Sequence, residues 1–163
     1  MTAISLTING QAHGPIEVRD DLSMNDFLRE VLGMTGTKFG CGAAQCLSCV
    51  VIVDAPDGTS FTNPTCIAPA VNFAGKKIRT VEGLANNGTL HPLQRSFMTH
   101  HGLQCGFCTP GFLMLATNTL EQRPNIADDE LLDVLSSNLC RCTGYQNIIK
   151  AVKAARDEMQ VTK

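Results

Sequence analysis

Eight cysteines fall into two blocks along this chain of 163 residues: Cys41, Cys46, Cys49 and Cys66, then Cys105, Cys108, Cys140 and Cys142. Thiols that must converge on a shared centre dictate which loops meet, so this pattern constrains the fold before any periodicity does. The first three are spaced C-x4-C-x2-C on a loop carrying Gly36, Gly40 and Gly42. That is the plant-type spacing for a [2Fe–2S] cluster, which needs one more Cys downstream. The C-x2-C pair (Cys105, Cys108) and the C-x-C pair (Cys140, Cys142) together make a set of four, leaving Cys66 to complete the first. Two four-thiolate sites result, and clusters of this kind move electrons.

Disulfides and zinc are the competing uses of eight thiols. The segment Met1 to Leu6 lacks the basic n-region and apolar run of a signal peptide. Synthesis in a reducing cytoplasm is therefore expected, where disulfides are rare. Export to the periplasm in folded form, on a partner's twin-arginine signal, stays open. Four-cysteine zinc sites are common, and the second block suits zinc nearly as well as iron. The triad on one loop favours iron, because zinc knuckles usually pair their cysteines. A zinc-stapled interaction module and a free-standing two-cluster ferredoxin carrier stand as alternatives. His100-His101 invites comparison with centres where two His replace two Cys, but each set already has four thiols, so packing or partner contact is the expected role.

Charge and composition exclude other classes. The 13 basic and 15 acidic residues leave a net charge of -2, with no basic stripe for nucleic acid. Nothing approaches the roughly 18 consecutive apolar residues of a membrane span. Ser, His and acidic side chains assemble into no catalytic motif. No Gly-rich dinucleotide fingerprint follows a strand, so flavin or NAD would have to bind elsewhere.

The hydrophobic period changes half-way along. Ile4 to Ile8 alternates as a half-buried strand, Asn9-Gly10 is a hairpin turn, and Pro15 to Arg19 is expected as the return strand. Ser23 is a candidate N-cap with Asp26 three residues on, for a helix with Phe27, Leu28, Val31 and Leu32 on its apolar face. Val50 to Val53 reads as a buried strand and Lys77 to Val81 as the last one. This is a plant-type ferredoxin-like β-grasp arrangement. Four helices follow: one opening at Pro92 with Leu93, Phe97 and His101 on one side, one with Phe112, Leu113, Ala116 and Leu120, one with Leu131, Leu132, Leu135 and Leu139, and one with Tyr145, Ile148, Ile149, Val152 and Met159. The expected fold is α+β, with a β-grasp domain at 1–82 and a helical domain holding a second cluster at 83–163. Two helical hairpins with a thiol pair at each turn would meet tip to tip, placing helix N-termini beside the cluster. Halves of ~80 residues are of a size that metal staples commonly help to fold.

The motifs resemble the iron–sulfur subunits of the molybdenum hydroxylases, the xanthine dehydrogenase and aldehyde oxidoreductase family. The resemblance rests on Thr37-Lys38-Phe39-Gly40-Cys41 with Cys46 and Cys49, on Leu90-His91-Pro92-Leu93-Gln94, on Gln104-Cys105-Gly106-Phe107-Cys108-Thr109-Pro110-Gly111, and on Asn138-Leu139-Cys140-Arg141-Cys142-Thr143-Gly144-Tyr145. It implies a non-catalytic electron-transfer subunit of an oxidoreductase whose large subunit binds a molybdenum–pterin cofactor and hydroxylates the substrate. It implies that Cys105, Cys108, Cys140 and Cys142 hold the proximal cluster, with Gln104 and Cys142 contacting the pterin across the interface. Cys41, Cys46, Cys49 and Cys66 would hold the distal cluster, facing an FAD subunit or a cytochrome c. Asn138 and Arg141 are expected to hold the second cluster turn by hydrogen bonds. The chain departs from the family's C-G-A-C at Cys46-Leu47-Ser48-Cys49, and Ser137 replaces a common Gly. Leu47 is expected in a loop position that needs no positive φ; the alternative reading has it covering the distal cluster or meeting an unusual acceptor.

Overall fold

The computed structural model describes residues 1–161 and shows a mixed five-stranded sheet together with five helices. Strands β1 (Thr2–Ile8) and β2 (Gln11–Val18) form an antiparallel hairpin. Its turn is Asn9-Gly10, with φ of 51° and 81°, as a primed two-residue turn requires. Strands β3 (Val50–Asp54), β4 (Ser60–Pro64) and β5 (Lys77–Arg79) complete a sheet in the order β2-β1-β5-β3-β4, in which only the β1–β5 pairing is parallel. Two expectations are corrected here. The return strand starts earlier than Pro15 and ends at Val18, and β4 is an additional strand. Its sequence, Ser-Phe-Thr-Asn-Pro, lacks a clean alternation, so its pairing with β3 is what makes it a strand.

Ser23 caps the first helix as expected, its hydroxyl accepting from the Asp26 N–H at 3.0 Å. That helix, α1 (Met24–Asp26), is a single turn that widens into a π turn over Phe27–Val31. The wider turn, closed by the Leu32 N–H on the Phe27 carbonyl, rotates the later side chains. Phe27 and Leu28 are buried, but Val31 points outward and leaves the expected apolar face.

The second half carries α2 (Pro92–Thr99), α3 (Thr109–Gln122), α4 (Asp128–Ser136) and α5 (Gln146–Val161). Leu93, Phe97, Phe112, Ala116, Leu131, Leu135, Ile148 and Val152 form its core. Burying each large side chain contributes about 1.5–3 kcal/mol. Three positions in the first three of these helices depart from the helical pattern. His101 lies beyond the end of α2 with φ 53°, Leu132 is partly exposed, and Leu139 lies outside α4 and is 61% exposed.

Strand β3 joins the halves. Val51 and Val53 face the sheet core with Phe27 and Ile78, whereas Val50 and Ile52 pack against Met114 of α3. Burial on both faces explains the unbroken β-branched run. Arg79 on β5 adds ion pairs to Asp54 at 2.9 Å and to Glu121 of α3 at 2.8 Å. The closest approach is at Gly111, where a Cβ would lie 2.4 Å from the Leu47 carbonyl oxygen and 2.7 Å from Asn138 Nδ2. A helical Gly→Ala change ordinarily stabilises. Here the obstacle is backbone, so Gly111→Ala is predicted to destabilise by about 1–3 kcal/mol. A lowered melting temperature of the purified protein checks this; an unchanged or raised one contradicts the tight seam.

Candidate metal centre

The loop before β3 curls around one sulfur. Cys41 Sγ accepts from the backbone N–H groups of Ala43 (3.4 Å), Gln45 (3.3 Å) and Cys46 (3.4 Å). The loop takes left-handed backbone at Gly42 and Ala44, which interleave with the inward amides, and again at Leu47 beyond them, with φ of 65°, 56° and 53°. The donors, led by the Cys46 and Ala43 amides, pull the Cys41 thiol down to about 6. Gly40 is needed for space, since a Cβ there would sit 2.8 Å from Cys46 Sγ.

The thiols meet in pairs. Cys41 lies beside Cys46, and Cys49 beside Cys66. In the second block Cys142 Sγ is 3.5 Å from Cys105 Sγ, and Cys108 lies beside Cys140. Two thiolates on one tetrahedral ion, with bonds of ~2.3 Å, stand ~3.8 Å apart, so the measured pair has the spacing of ligands to a common ion. Among the described residues no three His, Cys, Asp or Glu side chains close on a point as a single mononuclear ion would require. Burial pushes the Cys49 thiol up to about 11, opposed by the Cys66 and Thr65 amides and reinforced by the Cys66 thiol. Cys108 rises to about 12, first through burial and then through Cys140 and Cys105. Burial opposes ionisation of Cys140 too, but donation from Thr143 and nearby amides outweighs it and the thiol lies below its ordinary value. Thiolates in such positions require a cation beside them.

A cavity of about 310 Å³ is lined by Cys41 and Cys46 of the first set and by Cys105, Cys108, Cys140 and Cys142 of the second, whereas Cys49 and Cys66 do not line it. Cys108 immediately precedes α3, and Cys142 lies just before α5, so both helix N-termini adjoin the second set as expected. Partial positive charge there favours an anionic centre by about 0.3–1 kcal/mol per helix. Tyr145, expected on the apolar face of the last helix, precedes it; its hydroxyl accepts from the Cys140 N–H at 2.9 Å, and its ring packs edge-on to Phe112. Thr143 hydrogen-bonds Cys140 Sγ at 3.2 Å.

Between the sets, the Cys46 carbonyl accepts from the Leu139 N–H (3.1 Å) and from Asn138 Nδ2 (3.0 Å). Asn138 thus holds the cluster turn to the opposite loop, whereas Arg141 is exposed on the cavity rim. Gln104 is exposed beside Cys105, and His100-His101 do not line the cavity.

Two family profiles match, a 2Fe-2S iron-sulfur cluster binding domain over residues 6–71 and a [2Fe-2S] binding domain over residues 80–153. The gamma subunit of caffeine dehydrogenase from Pseudomonas sp. (strain CBB1) is 45% identical over 165 residues, spanning 98% of this chain and 94% of that one. The chain belongs to the iron–sulfur small subunits of the molybdenum hydroxylase family. The nicotine 6-hydroxylase small subunit of Paenarthrobacter nicotinovorans is 43% identical, over 91% of this chain and 86% of that subunit. Among solved structures, quinoline 2-oxidoreductase from Pseudomonas putida 86 superposes with a TM-score of 0.88 at 42% identity, covering 97% of this chain and 95% of that one. Aldehyde oxidoreductase from Desulfovibrio gigas superposes with a TM-score of 0.90 at 34% identity, covering all of this chain but 18% of that much longer one.

Leu47 is where this subunit departs from its expected loop geometry. The position does require positive φ, and the side chain turns inward against Val50, Ile52 and Met114. It therefore packs in the seam between the halves. Left-handed backbone costs a branched residue about 1–2 kcal/mol, which the buried contact offsets. Leu47→Gly is predicted to leave stability within about 1 kcal/mol of the parent, gaining in backbone what it loses in packing. Leu47→Val should lose ~2 kcal/mol, since β-branching makes this φ worse. Urea unfolding of the two variants checks the order; a more stable Val variant would contradict it.

Proposed function

We propose that this chain relays electrons for a molybdenum hydroxylase, with Cys41, Cys46, Cys49 and Cys66 as ligands of a distal [2Fe–2S] cluster and Cys105, Cys108, Cys140 and Cys142 as ligands of a proximal one. The observation that carries this reading is the shared cavity, onto which thiols of both sets open. Pairing supports it: a two-iron core needs two thiolates at each iron, and Cys105 and Cys142 approach to 3.5 Å, close to the spacing of two ligands on one ion. When bound, the clusters pass single electrons from a molybdenum–pterin centre on a large catalytic subunit to an acceptor.

The residues of the chain fit this role without supplying chemistry themselves. Inward amides hold Cys41 as a thiolate. Helices α3 and α5 turn their N-termini to the second set. The units at 1–82 and 83–163 correspond to a ferredoxin-like β-grasp domain followed by a four-helix domain. Gln104 and Cys142 are exposed, as contact with a pterin held by another subunit demands. Leu103 directly precedes Gln104, and Phe107 and Leu139 line the cavity with Cys142; the three are 39%, 45% and 61% exposed, apolar surface that a large partner would cover. The electron acceptor is an FAD-bearing subunit or a cytochrome c. No described helix is long and apolar enough to cross a membrane; cytoplasmic assembly, with export alongside a signal-bearing partner as the other route, completes the reading.

Co-expression with a molybdenum-cofactor-binding large subunit from the same genome tests the assignment. The parent chain should elute with the large subunit, brown in colour, and Leu139→Asp should elute alone while keeping its colour. A brown parent that never associates would make the chain a free carrier, and a colourless zinc-loaded parent would make it an interaction module.

A further inference from the structure

Behind the first thiol set lies a buried polar chain to which no role has been given. Thr65 directly precedes Cys66 and is fully buried. Both of its donors reach one acceptor: the Thr65 N–H and hydroxyl point to the Cys49 carbonyl oxygen, at 3.3 and 2.7 Å. One residue thus ties together two cysteines that lie 17 positions apart and pair in space. Asn25, also fully buried, fixes Thr65 in turn. The Asn25 N–H donates to the Thr65 carbonyl at 3.1 Å, and Asn25 Nδ2 donates to Thr65 Oγ1 at 3.1 Å. Because the hydroxyl oxygen accepts from Asn25, its own proton is left for Cys49, so the hydroxyl has a single orientation.

The scaffold under this chain is itself clamped. The Met24 N–H donates to the Ala68 carbonyl, and the Ala70 N–H to the Leu22 carbonyl, each at 2.8 Å. The single turn of α1 therefore serves as a buttress for the loop that carries Cys66. Asn25 Oδ1 is buried with no hydrogen-bond partner. An apolar side chain would fill that space without leaving an acceptor unmet, which argues that the amide is kept for what its nitrogen does to Thr65.

We propose that Thr65, oriented by Asn25, is a positioning residue for the cluster held by Cys41, Cys46, Cys49 and Cys66, fixing the Cys49–Cys66 pair and thereby the electronic signature of that cluster alone. The inference rests on the electron-relay reading above. Groups that orient metal ligands from behind typically matter 10–100-fold for metal retention.

The test uses the co-purified complex, reduced and measured by EPR, with iron release to a chelator followed in parallel. The parent should give two cluster signals; a parent lacking them would overturn the relay reading itself, a result separate from any effect of Thr65. Thr65→Val removes the hydroxyl and keeps the shape. It should shift the g-values and midpoint potential of one signal, leave the other in place, and release half of the iron about tenfold faster. Thr65→Ser should restore both. Asn25→Leu, which keeps the hydroxyl but frees it to rotate, should shift the same signal by less and covers the case in which Thr65→Val does not fold. In the double variant Thr65→Val with Asn25→Leu, stability should recover while the shifted signal persists. Unmoved signals in Thr65→Val, equal movement of both, or a double variant with the parent's spectrum would each overturn the proposal, reducing the pair to satisfied core polarity.

Discussion

The Cys46 carbonyl oxygen is the point on which the two halves depend. It receives the Leu139 N–H and the Asn138 amide from across the molecule, and so joins a residue of the first thiol set to the turn that carries Cys140 and Cys142. Asn138 lies 92 positions from Cys46, and that loop-closing entropy is met by packing elsewhere: Val50 and Ile52 on Met114, and Arg79 between Asp54 and Glu121. Close approach at Gly111 lets the backbone of the loop sit against α3. Two small cores are thereby held in one register, and the cavity between the thiol sets has fixed walls.

Charge explains why the site suits an iron–sulfur core. The exposed Cys41 is made acidic by amides, whereas Cys49 and Cys108 are made basic by burial and by neighbouring thiols. Without a positive centre, burial keeps Cys49 and Cys108 protonated, so their ionisation as ligands depends on a cation beside them. Helix N-termini and inward amides then moderate the net negative charge of the loaded cluster. Each set has ligands at the surface, Cys41 in the first and Cys105 and Cys142 in the second.

Much of this was legible in the residues, for identifiable reasons. Thiol spacing is dictated by a rigid core, so two sets of four could be proposed from the residues, and the structure brings Cys41 to Cys46, Cys49 to Cys66, Cys105 to Cys142 and Cys108 to Cys140 as pairs. Helical periodicity placed Leu93, Phe97, Phe112, Ala116, Leu135 and Val152 in a core because their burial follows from α geometry alone. Features decided by tertiary context were not visible. Strand β4 exists because β3 offers it a partner; Val31 is exposed because of a π turn; Leu47 takes left-handed backbone where its side chain packs in the seam against Val50, Ile52 and Met114. The Asn25–Thr65–Cys49 chain carries no sequence signal, since nothing local links positions so far apart.

Metal and sulfide analysis of freshly purified holo-protein tests the central claim most directly. Two [2Fe–2S] clusters predict about four irons and about four acid-labile sulfides per chain. Zinc in place of iron, or iron without sulfide, would contradict the assignment of these thiols and the electron-transfer role built on it.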